Sequence, residues 1–367
     1  MNKKNNKNLI MFIPSIEGGG VEKNFFLISN YLIKKFDNLT IITISRKQKK
    51  NFDKSIKFVS LSSNRWENSG RGLKYILAII LLIKEIFKNK NSIVFSFQAN
   101  IYCIIICKLL GIKIISRLNS AKYNLNKNFF KLKIFKIFFS FADKIIVNSQ
   151  ELKNYLKKEF KVNSTCIYNP LNTTEIRKKA QIKSKRIFGK NKKIKILNIG
   201  RFTDQKDQIT LLKALNFIKN KIEYEAVIIG KGILKSKLNK YIVKNKLNKN
   251  VKIMNFVENP FNLIKQTNIF ILSSKYEGLP NVLLEALVLK KFIISSDCPT
   301  GPKEILLNGK GGLLFKKEDH KELSKKIIYF SNNKKKCEKL LKTAIKNLYR
   351  FNYEKNLTSY LKLIKSI

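Results

Sequence analysis

Residues 273–289 have the sequence Ser-Ser-Lys-Tyr-Glu-Gly-Leu-Pro-Asn-Val-Leu-Leu-Glu-Ala-Leu-Val-Leu, and this stretch decides the fold that we expect. The apolar run at 268–273 predicts a buried parallel strand, and Gly278 interrupts the pattern after it. Pro280 then stands where a proline best opens a helix, at the first helical position. The helix that follows is apolar except at Glu285. Strand, glycine turn and buried helix predict one unit of an α/β domain with a parallel sheet.

Two carboxylates in this stretch suggest chemistry. Glu277 is expected on the loop beside a helix N-terminus, a position that favours phosphate groups. Glu285 has mostly apolar neighbours three and four residues away, and a buried carboxylate is costly without a partner such as the two hydroxyls of a vicinal diol. We interpret the pair as a site for a nucleotide-sugar, which presents a hexose, a diphosphate and a ribose together. The alternative is an ordinary surface glutamate followed by a glutamate at the helix rim.

The composition bounds the possible partners. The chain has 367 residues, enough for two domains of ordinary size. It carries 75 Lys and Arg against 24 Asp and Glu, a formal net charge of +51. The lysines are spread over the whole sequence together with many Asn and Ile residues, which indicates codon bias in an AT-rich genome as much as selection for a polyanion. We expect an anionic membrane surface as a partner, and not nucleic acid, because zinc-ligand spacing, an RNP-like strand and a compact basic arm are all missing from the sequence.

The five cysteines are odd in number and lack C-x-x-C spacing, which fits free thiols in a reducing cytoplasm. His320 is the single histidine, too few for a histidine-based metal site. We expect no signal peptide, since a short apolar strand near the start runs into a glycine loop. The longest apolar runs, at 75–83 and 101–107, are well below the roughly 18 residues that a membrane-spanning helix needs.

The first half of the chain alternates strands and helices. An apolar strand at 8–14 is followed by Gly18, Gly19 and Gly20 and then by a predicted helix at 25–35. Bare backbone with free N–H groups suits a phosphate, although the Walker and Rossmann glycine spacings are absent, and a flexible turn is the alternative. Further strands are expected at 39–45, 57–61, 92–97, 113–117, 142–148 and 165–169, and helices at 73–88, 101–110 and 150–159.

Residues 121–141 alternate lysines with aromatic and aliphatic residues. A helix of this composition places phenylalanines on one side and lysines at its edge, which suits the interface of a membrane with anionic head groups. The alternative is an ordinary amphipathic helix that packs on the sheet.

The alternation of strands and helices restarts after a polar, lysine-rich segment at 171–191, which we interpret as a hinge. The later strands are expected at 195–199, 225–230, 251–255, 268–273, 292–296 and 313–315, with helices at 208–220, 233–246, 260–265 and from 320 onward. Two such series predict two doubly wound parallel sheets that face each other across a cleft. The predicted parts are an acceptor-binding domain at 1–170, the hinge, a nucleotide-sugar-binding domain at 192–350 and a helix at 351–367 that crosses back to the first domain.

Two cations follow the first strand of the second half. Arg201 and Lys206 lie on the loop after that strand, where they would neutralise a diphosphate leaving group. In a chain with 75 basic residues, chance placement is the alternative. Ligands of parallel sheets bind at the carboxyl ends of the strands. We therefore expect Arg201, Lys206, Glu277, Glu285 and the glycine loop to converge on one cleft.

Together these motifs resemble the family 4 retaining glycosyltransferases of the GT-B fold. The two-glutamate motif, with seven residues between the acids, is the most specific part, and the resemblance covers nearly the whole chain. It implies two Rossmann-like α/β domains and metal-independent, hexosyltransferase-type activity. The segments that carry it are 18–20 after the first strand, Gly200-Arg201 with Lys206, Glu277-Gly-Leu-Pro-Asn-Val-Leu-Leu-Glu285, 297–305 and 308–315.

The resemblance also implies roles for single residues. Arg201 and Lys206 would bind the donor diphosphate, Glu277 would contact the donor sugar, and Glu285 would hold the ribose hydroxyls. Such enzymes need no metal, and the chain has no Asp-x-Asp pair to carry one. We expect no cofactor, with a UDP-sugar as the donor substrate. The other expected donor-binding residues are Gly18, Gly19, Gly20, Gly200, Phe256, Val257, Gly278, Leu279, Pro280, Asn281 and Val282.

One feature of the family is missing. Many relatives carry a histidine on the loop after the strand that here ends Ile115-Ser116-Arg117-Leu118-Asn119, and this chain has none there. Arg117 and Asn119 are the candidates in the first domain for part of that work. We therefore count them as candidate catalytic residues beside Glu277, Arg201 and Lys206.

The expected function is retaining transfer of a sugar from a UDP-hexose or UDP-N-acetylhexosamine to a lipid-linked or surface glycan, in polysaccharide or lipopolysaccharide biosynthesis. The expected location is the cytoplasm, peripheral on the inner face of the cell membrane. One alternative is a nucleotide-sugar epimerase of the same fold; a glycogen-type phosphorylase is disfavoured, because no lysine has a recognisable pyridoxal context. The other alternative is a basic protein that binds nucleic acid or membrane by charge alone.

Overall fold

The computed structural model describes residues 7–120 and 129–367, and within these ranges residues 64 and 129–132 by their backbone only. The chain divides into two compact units. Residues 7–119, 129–170 and 353–367 belong to the first unit, and residues 171–352 to the second. The segment predicted as a hinge, 171–191, therefore lies within the second unit, where it contributes the helix Thr173–Lys179. Its role as a hinge stays a prediction.

The first unit is built on a parallel sheet of seven strands, paired in the order β3-β2-β1-β4-β5-β6-β7. Strands β1, β2 and β4 are buried over their whole length, as continuous apolar runs covered on both faces should be. The strands are β1 (Asn8–Phe12), β2 (Leu39–Ile42), β3 (Lys57–Val59), β4 (Ser92–Ser96), β5 (Lys113–Leu118), β6 (Lys144–Val147) and β7 (Thr165–Cys166).

Helices cover this sheet, and the last of them comes from the C-terminus of the chain. They are α1 (Gly20–Leu32), α2 (Arg71–Lys88), α3 (Asn100–Leu109), α4 (Phe129–Ser140), α5 (Gln150–Phe160) and α14 (Tyr353–Lys365). Helix α14 buries Leu357, Tyr360 and Ile364 in the same apolar core as Phe25 and Phe95. Of the predicted segment 121–141, residues 121–128 lie outside the described residues.

The second unit repeats the architecture with six parallel strands in the order β10-β9-β8-β11-β12-β13. The strands are β8 (Ile194–Ile199), β9 (Tyr224–Gly230), β10 (Val251–Asn255), β11 (Ile269–Leu272), β12 (Phe292–Ser296) and β13 (Leu313–Phe315). The helices are α6 (Thr173–Lys179), α7 (Gln208–Ile218), α8 (Lys235–Lys244), α9 (Phe261–Lys265), α10 (Asn281–Val288), α11 (Pro302–Ile305), α12 (His320–Asn332) and α13 (Lys334–Lys346). The prediction of two doubly wound parallel sheets is confirmed.

Two predicted helix starts were wrong. Helix α1 begins at Gly20 rather than at residue 25, because Glu22 Oε2 accepts a hydrogen bond from the Gly19 N–H at 3.0 Å and so caps the helix start. Pro280 is the cap residue of α10 rather than its first helical residue, since its ψ of 104° is extended. Helix propensity predicted both helices correctly, but it does not fix the first residue of a helix, which depends on local bonds and backbone angles.

Candidate active site

The predicted loop residues after β8 and β11 meet in an ion pair. Lys206 Nζ lies 2.5 Å from Glu277 Oε1, and the two side chains are 17% and 8% exposed. Ser274 Oγ donates to the same carboxylate oxygen, also at 2.5 Å. The bonds from Lys206 and Ser274 both go to Oε1. In the described part of the chain the side-chain bonds of Glu277 leave its second oxygen, Oε2, available to accept from a ligand hydroxyl.

The loops that carry this pair are tied together by further hydrogen bonds. Ser273 Oγ donates to the Lys206 carbonyl at 3.0 Å. The Lys275 N–H donates to the Gln205 carbonyl at 2.8 Å, and Gln205 Nε2 returns a bond to the Tyr276 carbonyl at 3.1 Å. The ammonium and the carboxylate are therefore held on one rigid frame, as a preorganised site requires. Gln205, Ser273 and Ser274 were not predicted as site residues, although Ser-Ser at the end of a buried strand was a visible signal.

The loop after β12 supports Glu277 from the other side. Thr300 Oγ1 donates to the Glu277 carbonyl at 2.6 Å, and the Glu277 N–H donates to the Pro299 carbonyl at 3.2 Å. Gly301, which our sequence analysis did not single out as a site residue, has φ +90°, and a Cβ built on it would lie 1.8 Å from the Gly278 carbonyl oxygen. Only a glycine fits here, because both the backbone conformation and the space exclude a side chain.

Cys298 is buried beside this frame. Burial, followed by the nearby Glu277 carboxylate, raises the pKa of its thiol to about 12. At neutral pH the thiol stays protonated, and a protonated thiol is a poor nucleophile. Cys298 is therefore a packing residue rather than a reactive group.

Helix α10 places its N-terminus directly after this loop. Gly278, Leu279 and Pro280 are buried, while Asn281 and Val282 are partly exposed. The first turn contains no acidic residue, and Pro280 provides no side-chain cap. The first backbone N–H groups of such a helix suit an anion. Further along α10, Glu285 is buried, and its expected role at the ribose stays a prediction.

Glycines and aromatic residues complete the strand ends of this sheet. The Lys206 stem lies over Gly200, where a Cβ would meet Lys206 Cγ at 3.3 Å. Arg201 presents an exposed side chain on the same loop. After β10, Phe256 is half exposed and the Lys231 ammonium lies 5.2 Å from its ring centre, with Val257 partly buried next to it. The predicted donor residues of the second unit thus all follow the carboxyl ends of β8, β10 and β11.

The glycine loop of the first unit differs from its predicted form. Gly18 has φ +83°, which favours glycine, but Gly20 is already part of α1. The Gly19 N–H donates to Glu22 and is therefore occupied. A Cβ on Gly19 would lie 2.8 Å from Glu22 Oε2, so glycine is needed here for the close approach of that carboxylate. A role of these glycines in donor binding stays a prediction.

The two candidates on β5 are not equivalent. Arg117 is fully buried, and Asn119, just after the strand, is partly exposed. The burial of Arg117 favours a role through its neighbours over direct contact with a substrate, and its expected catalytic role stays a prediction. From the sequence alone, an exposed side chain would be expected at Arg117, because arginine is rarely fully buried.

The described residues contain neither a metal-binding cluster nor a membrane-spanning helix. Across residues 7–120 and 129–367, no group of three His, Cys, Asp or Glu side chains is arranged to hold a metal ion. In the same ranges, every helix is too short or too polar to cross a bilayer. Metal independence stays a prediction.

Comparison with known proteins gives two family matches that follow each other along the chain. The family described as Glycosyltransferase Family 4 matches residues 18–175. The family described as Glycosyl transferases group 1 matches residues 180–347. The two matches meet close to the boundary between the two units.

Individual relatives match over different lengths. An uncharacterized glycosyltransferase of Methanocaldococcus jannaschii is 39% identical over 180 residues, which is 47% of this chain and 44% of that protein. A Campylobacter jejuni α-1,4-N-acetyl-D-galactosaminyltransferase, named for a PP-undecaprenol-linked GalNAc acceptor, is 26% identical over 97% of both chains. Among solved structures, Anabaena HepE in complex with UDP superposes with a TM-score of 0.78 and 15% identity, covering 98% of this chain and 100% of that one. At this identity the superposition shows a shared fold.

Proposed function

Since this chain belongs to the family 4 glycosyltransferases and has the GT-B fold, we propose that it transfers a sugar from a UDP-sugar to a lipid-linked glycan, as a step of glycan biosynthesis. The transfer retains the anomeric configuration and needs no metal ion. Two comparisons support the substrates. HepE was solved with UDP, and the Campylobacter relative is named for transfer to a glycan on PP-undecaprenol.

The observation that carries this proposal is the partly buried pair of Lys206 and Glu277, 2.5 Å apart after the ends of two neighbouring strands. An ammonium held in place can bind the diphosphate of the donor, with the exposed Arg201 and the N-terminus of α10 beside it. Glu277 Oε2 can accept from a hydroxyl of the donor sugar. Glu285, buried on α10, suits the ribose diol.

The proposed reaction exchanges one bond at the anomeric carbon of the sugar for another. The bond between the sugar C1 and the diphosphate oxygen breaks, and a bond from C1 to the acceptor oxygen forms on the face from which UDP leaves. The acceptor proton passes to the departing phosphate oxygen. Lys206 and Arg201 stabilise the negative charge that grows on the diphosphate, which is the charge that such cations are best placed to stabilise.

A donor panel tests the proposal. We expect the purified protein to transfer sugar from one UDP-sugar to a polyprenyl-diphosphate-linked glycan, and to do so equally well in EDTA. Mass spectrometry identifies the product among UDP-, GDP- and ADP-sugars, and NMR of the new glycosidic bond gives its configuration. An inverted anomeric centre, or loss of activity in EDTA, contradicts the mechanism. Conversion of the donor sugar without any acceptor instead supports the epimerase alternative.

Membrane attachment is the second part of the proposal, and it is supported by one surface of the first unit. Helices α2, α3 and α4, together with Phe141 directly after α4, expose nine large apolar side chains, each at least 41% exposed, which we call the α2–α4 face. In the described part of the first unit, this face holds every large apolar side chain that is this exposed. The members of the face are Leu73, Ile76, Ile80, Phe87, Tyr102, Leu109, Ile134, Ile137 and Phe141.

The positive charge around the α2–α4 face favours an anionic partner. Exposed lysines lie among the apolar residues, among them Lys84, Lys88 and Lys136. The nearby acids are taken, since buried Glu85 pairs with Lys57 and Lys88. A second copy of the chain would bring lysines against lysines. Apolar side chains ringed by lysines fit an anionic lipid bilayer, into which the apolar residues insert and whose head groups attract the lysines.

Vesicle binding tests this attachment. We expect the Ile76→Ser and Ile80→Ser double variant to bind anionic phospholipid vesicles about 30-fold more weakly, because each isoleucine contributes about 1 kcal/mol when it is partly buried in lipid. The matched control is Ile233→Ser with Val243→Ser, two exposed aliphatic residues of the second unit. Co-sedimentation with vesicles measures both. Equal loss in the two double variants, or binding that ignores the anionic lipid content, contradicts the assignment.

A further inference from the structure

Arg117 is a buried cation with three neutral hydrogen-bond acceptors. Its Nε donates to Tyr360 Oη at 3.0 Å, its Nη2 to Asn169 Oδ1 at 2.7 Å, and its Nη1 to Asn119 Oδ1. The rings of Phe97 and Tyr360 face the guanidinium with centres 5.2 and 6.0 Å from its central carbon. Over residues 7–120 and 129–367, all the side-chain partners of Arg117 are uncharged.

This arrangement is unusual for a residue that only fills the core. A buried charge without a carboxylate is costly, and apolar residues of similar volume often stabilise a fold as well or better. What a guanidinium adds is geometry, because its planar fork fixes several oxygen atoms in one plane at once. Arg117 can therefore serve to hold one of its three partners in a fixed orientation.

Asn119 is the partner that can meet a substrate. It is partly exposed and lies just after β5, at the carboxyl edge of the sheet, where ligands of such sheets bind. Its Oδ1 accepts from Arg117, and its Nδ2 donates to the Phe97 carbonyl at 3.0 Å. Its own carbonyl accepts from Asn148 Nδ2 at 3.3 Å. The amide is thus held at both ends, and its orientation depends on Arg117.

Tyr360 brings the C-terminal helix into this network. It is fully buried on α14, and its hydroxyl accepts from Arg117 while it can donate to the Ile167 carbonyl at 3.5 Å. Burial raises the pKa of the phenol, although the Arg117 charge lowers it in part. The phenol is therefore neutral at physiological pH and acts as a dipole that orients the guanidinium.

We propose that Arg117 is a positioning residue that orients Asn119 toward the acceptor substrate, and that Tyr360 of α14 fixes Arg117 for this purpose. This inference rests on the proposed transfer reaction. Arg117 touches neither substrate. Asn119 is the residue that contacts the acceptor hydroxyl, at the carboxyl edge of the sheet.

A double-mutant cycle tests the proposal. We expect Tyr360→Phe to keep the fold and to lower kcat/KM for the acceptor about tenfold, since it removes one hydrogen bond to a charged group and loosens Arg117. In an Asn119→Ala background the same change should alter kcat/KM by less than about twofold, because the residue it acts through is gone. KM for the UDP-sugar should stay unchanged in all variants. Arg117→Lys should behave like Tyr360→Phe.

A second tyrosine that contacts α14 gives the matched control. Tyr31 on α1 lies 3.3 Å from Thr358 on α14, and neither residue bonds to Arg117. Tyr31→Phe should leave kcat/KM unchanged. If Tyr360→Phe lowers kcat/KM equally in the parent and in Asn119→Ala, or if Tyr31→Phe has the same effect, the positioning role is refuted.

A measurement without turnover separates this inference from the proposed function. In protein labelled with ¹⁵N at asparagine, the side-chain amide signal of Asn119 is identified by its loss in Asn119→Ala. We expect this signal to shift in Tyr360→Phe and to stay in place in Tyr31→Phe. An unmoved signal in Tyr360→Phe overturns the inference even if sugar transfer is confirmed. A shifted signal in a protein that transfers no sugar supports the network and rejects the proposed function.

Discussion

Glu277→Gln should lower the rate of sugar transfer by about 10²- to 10³-fold, the usual loss when one preorganised charge-stabilising group is removed from an active site. Glutamine has nearly the same shape, so the loop after β11 keeps its hydrogen bonds from Thr300 and to Pro299. What is lost is the charge that holds the Lys206 ammonium 2.5 Å away. Steady-state kinetics with the preferred UDP-sugar measure the effect.

Lys206→Met should cause a similar loss of activity and also a loss of stability. It leaves the Glu277 carboxylate, whose side chain is only 8% exposed, without its cation. Removing one partner from a buried pair costs up to about 3 kcal/mol, and the Ser274 hydroxyl offsets part of this. Denaturant unfolding and kinetics on the same sample separate the two effects.

Lys275→Met is the matched control for both variants. Lys275 is two residues from Glu277, but its ammonium pairs with Asp204 at 2.7 Å and Glu318 at 3.3 Å, both exposed carboxylates. Exposed pairs contribute about 0 to 1 kcal/mol. This variant should keep the parent rate. If it loses as much activity as Lys206→Met, the effect reflects general charge rather than the pair at the site.

Gly301→Ala should destabilise the second unit by more than about 4 kcal/mol and abolish transfer, as expected when a side chain overlaps backbone at a strained position. The added Cβ would lie 1.8 Å from the Gly278 oxygen and 2.8 Å from Pro280 Cδ. Relief of that overlap requires the turn between Glu277 and α10 to move. The donor site would then lose its shape even in molecules that fold.

Gly309→Ala separates steric overlap from backbone strain. Gly309 has the same φ of +90° as Gly301, but a Cβ there meets nothing within 4 Å. We expect only the strain of a positive φ, about 1 to 2 kcal/mol, and unchanged kcat. Urea unfolding of both variants measures the difference. Equal destabilisation of the two variants would show that the contact with Gly278 has no energetic weight.

The sequence predicted the sheets well, because buried parallel strands are continuous apolar runs such as 292–296, where prediction and structure agree. It also predicted which loops follow strand ends, and hence that Lys206 and Glu277 would come close together. Helix starts were less predictable. The start of α1 is set by the bond between Glu22 and the Gly19 N–H, and the start of α10 by the extended ψ of Pro280, and composition reveals neither.

The environment of Arg117 was the least predictable feature. Two of its partners are 52 and 243 residues away along the chain. Local sequence shows an arginine at the end of a strand, which favours a surface position. Its burial depends on a tyrosine from the last helix, and that contact exists only in the assembled unit. Long-range polar networks of this kind are set by tertiary structure rather than by pattern.

The placement of α14 has a consequence for protein synthesis. The core of the first unit includes Leu357, Tyr360 and Ile364, and these residues follow the whole of residues 171–352 along the chain. Residues 171–352, which make up nearly all of the second unit, are continuous and can fold on the ribosome while the first unit still lacks a helix. The first unit therefore cannot complete its core until residues 171–352 have been synthesised.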